Sequence, residues 1–319
     1  MPVPEVLTMQ PMTLLPHTSS PSVQIRSGIG MAVSLTGMRV HEPLELPDCT
    51  VSLQMLKFAL DNAPDGFASK VTASHLELSA HGFSTKIPLL VEEPLPEPEL
   101  HQRFTDLDFT ALRRLSACCS QHDVARPVLE YVCLSGSSAA AATGKVFALA
   151  GDMPCDELEI HRSHLAVVGD GIHPVSVSPK SVCVQTSGGT LWLPRPASSM
   201  NLVEGCKRLL EHVSGSVAAV KTEDVISALK TASQIVEKIE VQFLSDGIQI
   251  HTPDNAAYFS QRIIAKTSAE ASVAVNPKFL LSCLQAVGEE FVDLFISQYG
   301  SVAVKGQKTQ AVCMGMRKT

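Results

Sequence analysis

The chain has 319 residues, of which 45% are hydrophobic and 18% charged, a composition that excludes wholesale disorder and a coiled coil. Its 25 basic and 32 acidic residues give a formal net charge of -7, which argues against nucleic-acid binding through a generally basic surface. No apolar run approaches the ~20 residues that span a bilayer. We therefore expect no membrane association. The first cation is Arg26, so the basic start of a signal peptide is missing, and we expect no signal peptide.

Three breaks rich in proline, serine or glycine divide the chain into blocks of domain size. Five prolines fall within residues 1–21, an acidic Pro-rich linker covers 91–104, and a third break lies near 193–216. The expected domains are 1–95, 96–200 and 201–319.

Helices and strands recur in the same order from block to block. The expected helices cover 52–60, 108–121, 162–168, 201–212, 222–237 and 276–287, and the strands of the first block lie near 68–72, 75–79 and 83–88. Alternating strands between the helices indicate half-buried antiparallel sheets with helices on one face. Corresponding elements repeat at about 110 residues, which is too long for a solenoid and indicates tandem domains of class α+β.

Neither the cysteines nor three short sequence patterns indicate an enzyme. Nine cysteines without a CxxC pair predict buried free thiols in a reducing cytoplasm. Residues 139–146 lack the first Gly and the final Ser or Thr of a phosphate-binding loop. His161 and His164 would need a third ligand to bind a metal. Ser227 and Lys230 have the SxxK spacing of acyl-serine enzymes without the accompanying motifs. We expect no enzyme activity, no metal and no cofactor, and keep a hydrolase using Ser227 and Lys230 as an alternative.

Cations recur on the polar faces of the predicted helices, while acidic residues cluster in linkers and at strand ends. Such cations usually form solvated surface, but their recurrence in repeated domains indicates one shared surface of positive potential. This surface is the candidate for DNA binding, and its residues are Lys57, Arg113, Arg114, Lys230 and Lys278, with Arg126 following a helix.

Four segments resemble motifs of one family. The ending VCMGMR at 312–317 resembles a terminal V-x-M-P-M-R strand, and VAVNPKFLL at 273–281 resembles the start of a last-domain helix. RPVLEYV at 126–132 and ATGKVFA at 142–148 resemble R-P-x-L-x-G-v and A-T-D-G-H-R-L-A. Over residues from about 23 to 319, the chain resembles the bacterial-type DNA sliding clamp, the β subunit and processivity factor of replicative DNA polymerase.

The resemblance implies three domains of one topology, with inward helices and outward antiparallel sheets, which two chains would close head to tail into a ring around duplex DNA. The cations would line the bore, with Arg126 at its rim, and would contact phosphates without reading bases. The implied partners are double-stranded DNA without sequence preference, a DNA polymerase, a clamp loader and a second copy of the chain. The implied location is the cytoplasm, in association with the nucleoid.

The resemblance also implies a pocket for the peptide tails of polymerase and clamp loader. Its matching residues are Leu129, Thr143, Gly144, Val146, Phe147, Val312, Met314, Met316 and Arg317. Methionines suit a pocket that accepts several partners. The chain departs from the family in lacking the Asp before Gly144 and in having Gly315 instead of Pro. The apolar positions of the dimer interface match Ile235 and Val236.

The N-terminus is the main departure from the family. Residues 1–22 are too few and too rich in proline for the family's first strand and helix. We therefore expect a reduced first domain and five inward helices per chain, as would suit a phage or mobile-element replication system. A clamp-like adaptor that does not close into a ring is the remaining alternative.

Overall fold

The computed structural model describes residues 12–18, 20–96, 98, 103–154, 157–196, 201–211, 213–253, 258–297 and 300–316. The helices in these ranges are α1 (Leu53–Asn62), α2 (Phe109–Leu115), α3 (Arg162–Val168), α4 (Leu202–Leu210), α5 (Thr222–Ile235) and α6 (Pro277–Val287). Short 3-10 helices cover Leu15–His17, Ser116–Cys118 and Pro127–Glu130.

The strands of the first half of the chain are β1 (Ser22–Arg26), β2 (Ile29–Val33), β3 (Arg39–Pro43), β4 (Cys49–Ser52), β5 (Ala68–Val71), β6 (His75–Ala80), β7 (Phe83–Pro88), β8 (Thr105–Asp108), β9 (Tyr131–Ser135), β10 (Ser138–Ala142), β11 (Val146–Ala150) and β12 (Glu157–His161). Those of the second half are β13 (Ile172–Val177), β14 (Ser181–Thr186), β15 (Gly189–Pro194), β16 (Gly215–Lys221), β17 (Ile239–Leu244), β18 (Gly247–His251), β19 (Ser260–Ile264), β20 (Lys266–Thr267), β21 (Ala271–Val275), β22 (Phe291–Ser297), β23 (Ser301–Lys305) and β24 (Thr309–Met314).

The chain forms two compact units. Unit 1 comprises Met1–Asp106 and His173–Arg195, and unit 2 comprises Leu107–Ile172 and Pro196–Thr319. Unit 1 contains the sheet β4-β1-β2-β3-β15-β14-β13, with β8 at its end, and the sheet β5-β6-β7. Unit 2 contains the sheet β12-β9-β10-β11-β24-β23-β22-β16-β20 and the sheet β19-β18-β17-β21. The mixture of helices with antiparallel sheets confirms the α+β class, and the division at 95 and 200 stays a prediction.

One half-domain motif occurs three times in the chain. Four strands pair in the order fourth, first, second, third, and a helix follows the fourth strand. The copies are β4-β1-β2-β3 with α1, β12-β9-β10-β11 with α3, and β21-β17-β18-β19 with α6. The sequence repeat of about 110 residues is thus a repeat of topology as well.

The other half-domain motif has two complete copies within the described ranges. Its copies are β15-β14-β13-β8 and β24-β23-β22-β16, in which the last-named strand precedes α2 or α5. The first repeat has β7-β6-β5 alone, so within the described residues it lacks the strand and the helix that β8 with α2 and β16 with α5 supply elsewhere. The predicted reduction of the first domain is therefore seen in its sheet.

The buried carboxylate of Glu42 binds the segment that precedes β1 in the sequence. Glu42 is 3% exposed and accepts hydrogen bonds from the backbone N–H of Leu14 (3.1 Å) and Leu15 (2.9 Å) and from the Thr13 hydroxyl (2.9 Å). The Thr13 backbone N–H also donates to Glu42. These bonds satisfy the first amides of the 3-10 helix Leu15–His17 and fix Leu14 and Leu15 in the core.

Local sequence signals account for the helix ends. Asn276 caps α6 by accepting the Lys278 N–H at 2.9 Å, Pro277 begins the helix, and Gly288 ends it with a φ of 64°. The α-helix predicted over 108–121 is shorter than expected and continues as the 3-10 helix Ser116–Cys118. The Ser116 hydroxyl donates to the Arg113 carbonyl at 2.6 Å, a local bond typical of serine at a helix end.

Candidate functional site

Four helices of unit 2 lie side by side and form its helix layer. Contacts join α3 to α2, α2 to α6, and α6 to α5. Arg114 crosses from α2 to α6, because a Cβ added to Gly288 would lie 2.7 Å from the Arg114 Cδ. The α2–α6 contact brings together elements more than 150 residues apart in sequence, which periodicity alone does not predict.

The helix layer exposes four of the cations predicted to contact DNA. Arg113 and Arg114 are exposed on α2, Lys230 on α5 and Lys278 on α6. Arg113 forms an ion pair with Asp170, which follows α3. The structure thus brings these cations onto neighbouring helices, and their contact with DNA stays a prediction.

The other two predicted DNA contacts lie elsewhere. Lys57 is exposed on α1 in unit 1. Arg126 precedes the 3-10 helix Pro127–Glu130 and pairs with Asp123 at 3.0 Å. Its guanidinium lies beside the β10–β11 turn, because a Cβ added to Gly144 would be 3.2 Å from the Arg126 Nη2. Arg126 therefore accompanies the predicted peptide residues rather than the helix layer.

Part of the predicted peptide set lies on one face of the nine-stranded sheet, here called the apolar surface. Leu129, Phe147 and Val312 pack in one cluster, and Phe147 pairs with Val312 across the β11–β24 ladder. Met314 follows Val312 by two residues, so its side chain lies on the same face. Met314 is 50% exposed, so thioether surface is available there for a partner. Met316 is 41% exposed, and its N–H donates to the Ala274 carbonyl at 2.7 Å.

Neighbouring residues of the predicted set have other roles. Val146 pairs with Cys313 and is 2% exposed, on the opposite face of the sheet from Phe147. The Thr143 hydroxyl accepts the N–H groups of Lys145 (3.0 Å) and Val146 (3.1 Å) and shapes the β10–β11 turn. Gly144 is exposed in that turn. Arg317 lies outside the described residues.

Helix α4 covers part of the apolar surface and was predicted only as a short helix in a break between domains. Val203 and Cys206 of α4 pack against Leu129, Phe147 and Val312. Helix α4 thus packs on the face opposite Val146 and Cys313, whereas the prediction placed helices on one face of the sheets. The alanine strand β10, buried on both faces, permits this close packing. No pattern in the sequence predicts which face of the sheet α4 covers.

Charged groups border the apolar surface on two sides. On one side Lys145 is exposed, and its Nζ lies 5.4 Å from the ring centroid of Phe279, a cation–π contact. The Lys145 carbonyl accepts the Met314 N–H at 2.9 Å, which ties this lysine to the end of β24. On another side a cavity of about 250 Å³ beside the start of α4 is lined by Glu157 and Glu159, among others.

Solved structures match nearly the whole chain. The DNA polymerase III subunit beta from Pseudomonas aeruginosa aligns with a TM-score of 0.78 and 16% identity, covering 95% of this chain and 93% of that one. The DNA polymerase III beta subunit from Thermotoga maritima aligns with a TM-score of 0.73 and 13% identity, covering 96% and 92%. The chain has the sliding-clamp fold. A DnaN sliding clamp from Pseudomonas aeruginosa bound to griselimycin matches as well, with a TM-score of 0.76, 16% identity and 95% and 92% coverage. No protein-family profile and no curated protein matches this sequence.

Two strands at sheet ends, β19 and β7, lack a pairing that their counterparts make within the described part of the chain. Inside the chain, the third strand of one half-domain pairs with the last strand of the next: β3 with β15 and β11 with β24. The third strand β19 and the last strand β7 have no such pairing in the described part of the chain. Ile264 at the end of β19 is 92% exposed, and Ile235 at the end of α5, which contacts β19, is 52% exposed. Val236 is half-buried beside Ile235.

The residues of the hydrolase alternative do not form an enclosed pair. Ser227 and Lys230 are both exposed on α5, whereas a nucleophile and its base in an acyl-enzyme lie within hydrogen-bond reach in a shielded site. A second local network joins the Ser163 hydroxyl to His161 Nδ1 at 2.7 Å and His161 Nε2 to Glu130 at 3.2 Å. His161 also accepts the Ser163 N–H as the cap of α3, which explains this geometry by helix capping.

The cysteines of the described residues lie in the protein interior. The eight cysteines within the described ranges are buried thiols, and Cys155 lies outside those ranges. Burial raises the pKa of Cys133 and of Cys206, beneath the apolar surface, to about 12, which keeps these thiols protonated and unreactive. Among the described residues, no group of three or more His, Cys, Asp or Glu could hold a metal ion, and no helix could span a membrane.

Proposed function

We propose that this protein is a DNA sliding clamp, which encircles duplex DNA as a homodimer and tethers a DNA polymerase through the apolar surface. A clamp loader would place it on DNA, in the cytoplasm. The observation that carries the proposal is the helix layer of unit 2, where exposed Arg113, Arg114, Lys230 and Lys278 recur on neighbouring helices. Fold likeness alone would not assign this role, because one fold can host many functions.

The charge distribution suits sliding rather than tight binding. A ring stays on DNA by topology, so its bore needs only enough cations to contact phosphates without reading bases. The net charge of -7 limits unproductive association of the rest of the protein with nucleic acid. A few cations on one helix layer in an acidic protein meet both conditions.

The unpaired edges of β19 and β7 support closure of a ring by a second copy of the chain. The β3–β15 and β11–β24 pairings are internal examples of the junction that closure requires. If β19 of one chain pairs with β7 of the other, both spare edges are used and two identical junctions result. The exposed Ile264 and Ile235 would then be buried against the partner, as the predicted interface residues Ile235 and Val236 require.

Retention on DNA of different topology tests the proposal. The dimer is dissociated by dilution, reassociated in the presence of nicked circular DNA, and passed through a sizing column in 0.5 M salt. We expect retention on the circle and loss after a single cut linearises it, because only a ring is held by topology. Equal loss from both forms would contradict encirclement.

The reduced first repeat favours one second candidate, a clamp-like adaptor that remains open. Among the residues that the structure describes, its sheet β5-β6-β7 lacks the strand and the helix of the complete repeats. A closed dimer has a mass of about 68 kDa, twice the 34.1 kDa of one chain, and the adaptor would sediment as a monomer. Sedimentation equilibrium therefore separates the two functions.

A further inference from the structure

We propose that unit 1 contains a peptide-binding surface of its own, which a segment of the same chain occupies in this structure. The surface is the face of the sheet β4-β1-β2-β3 that carries Thr50, Gln24 and Met31, which pair directly across the strands. The occupying segment is 92–96 of the acidic Pro-rich linker, here called the strap. A partner protein with an extended segment of the same chemistry would bind there in place of the strap. This binding goes beyond the proposed clamp function and does not depend on it.

A buried glutamine binds the backbone of the strap. Gln24 is 3% exposed, and both ends of its side-chain amide are used. Nε2 donates to the Glu93 carbonyl at 2.7 Å, and Oε1 accepts the Leu95 N–H at 2.9 Å. Both partners are main-chain atoms, so Gln24 can make the same two bonds to any extended segment, whatever its side chains are.

Two further side chains of the sheet bind the ends of the strap. The Ser22 hydroxyl donates to the Glu92 carboxylate at 2.7 Å. At the other end, the Arg39 guanidinium donates to the Pro96 carbonyl. A carbonyl is present at every residue, whereas a carboxylate is not. The surface therefore selects for an acidic residue at the first position of a bound segment and leaves the last position open.

The middle of the strap defines the rest of the ligand. Leu95 is half-buried, whereas residues 92, 93, 94 and 96 are exposed. Leu95 lies between two prolines, whose fixed φ favours an extended backbone before binding and lowers the entropy lost on binding. The matching partner segment thus has a leucine between two prolines and a carboxylate three residues before the leucine.

The strap is held less firmly than the cover of the corresponding face in unit 2. There, α4 packs on the equivalent strands β9 and β10 and buries Val203 (3% exposed) and Cys206 (2%). The strap has no fully buried residue, and its two prolines lack the N–H groups of a strand ladder. Segments with few buried apolar groups open locally at low cost in free energy. The strap can therefore exchange with a partner segment while the sheet stays folded.

A synthetic peptide with the sequence of residues 90–96 tests this exchange by fluorescence anisotropy with the full chain. In the unmodified chain the strap competes, so the apparent affinity falls in proportion to the fraction of molecules with an open surface. Leu95→Ser in the chain weakens the strap and leaves the surface unaltered. We expect this variant to bind the peptide about 10-fold more tightly than the unmodified chain, as the partial burial of one leucine implies. A control peptide with Ser in place of this leucine should bind about 10-fold more weakly than the first peptide.

Variants of the surface identify where the peptide binds. Gln24→Leu removes the amide, and Gln185→Leu, an exposed glutamine of β14 in the same unit, is the matched control. In the Leu95→Ser chain we expect only Gln24→Leu to weaken peptide binding, by about 10-fold, because two hydrogen bonds are lost. Circular dichroism checks the fold of each variant. Arg39→Met, which removes the bond to the last carbonyl and should weaken binding about 3-fold, keeps the test valid if Gln24→Leu does not fold.

Two results would overturn the inference. The first is that the Leu95→Ser chain binds the peptide no more tightly than the unmodified chain, because the strap would then not compete for it. The second is that binding survives Gln24→Leu and Arg39→Met but is lost when Met314 and Met316 are both replaced by alanine, because the peptide would then lie on the apolar surface. Retention on circular DNA is measured separately, so the proposed clamp function can stand when this inference fails.

Discussion

Replacing Ile264 by lysine tests whether the proposed ring closes through β19. Ile264 is the most exposed large apolar side chain on β19 and β7, the two strands of the proposed junction. Ile264 is 92% exposed at the end of β19, so almost its whole side chain is available for burial by a partner. Burial of an isoleucine side chain contributes about 1.5–3 kcal/mol. A closed dimer contains two such junctions, so Ile264→Lys should weaken dimerisation by about 3–6 kcal/mol, or roughly 10²- to 10⁴-fold in Kd.

Sedimentation equilibrium over a dilution series measures this dimer Kd directly. The matched control is Ile172→Lys, because Ile172 is 69% exposed on β13 and lies outside the proposed junction. Circular dichroism of both variants checks that each remains folded. An Ile264→Lys dimer as tight as the unmodified dimer would refute the assignment of β19 to the junction.

Three further changes probe the peptide site and the core. Met314→Ala with Met316→Ala should reduce polymerase-tail binding at least 10-fold in fluorescence anisotropy and leave the dimer mass unchanged, because both thioethers are exposed and available to a partner. Glu42→Gln should lower the free energy of unfolding in urea by about 1–3 kcal/mol, because a buried charge-assisted acceptor of backbone N–H groups is lost. Burial and nearby His161 lower the pKa of His164 to about 4, so the unfolded chain binds the proton first. The free energy of unfolding is therefore highest above pH ~6.5 and decreases towards pH 4. At pH 5 it is lower by about 2 kcal/mol.

Each of these changes has its own control and its own contradicting outcome. Met55→Ala removes an exposed methionine of α1, and equal loss of tail binding in this variant would show that the effect is not specific to the apolar surface. Glu45→Gln alters an exposed carboxylate that follows β3, three residues after Glu42, and should be neutral, so similar destabilisation by both would refute the anchoring role of Glu42. Replacing His164 by Gln should reduce the stability difference between pH 7 and pH 5 by about 2 kcal/mol. An unchanged difference would show that His164 is not its source.

The local elements followed from the sequence because their causes are local. Helix α6 begins at Asn276 and Pro277 and ends at Gly288, each residue having its effect within one helical turn. Helices α1 and α3 likewise lie where apolar spacing predicted them. The prolines of residues 1–21 predicted a reduced first repeat, and the described residues of that repeat lack one strand and one helix.

The apolar surface was only partly predictable. Motif likeness selected Phe147, Val312 and Met314, and strand alternation places these three on one face. The same motif included Val146, which the alternation places on the other face. The contributions of Val203 and Cys206 were not predicted, because an amphipathic helix shows that it has a buried side but not which sheet face it covers.

Sequence by itself determined the kinds of element, their order, the repeat and the identity of the exposed cations, since these depend on neighbours within a few residues. Tertiary structure alone decided what depends on pairing between distant segments. Glu42 meets Leu14 across 28 residues, β11 pairs with β24 more than 150 residues away, and Lys145 lies over Phe279. Strand register sets which side chains share a face, and register is fixed by the packing of the whole sheet rather than by any one strand.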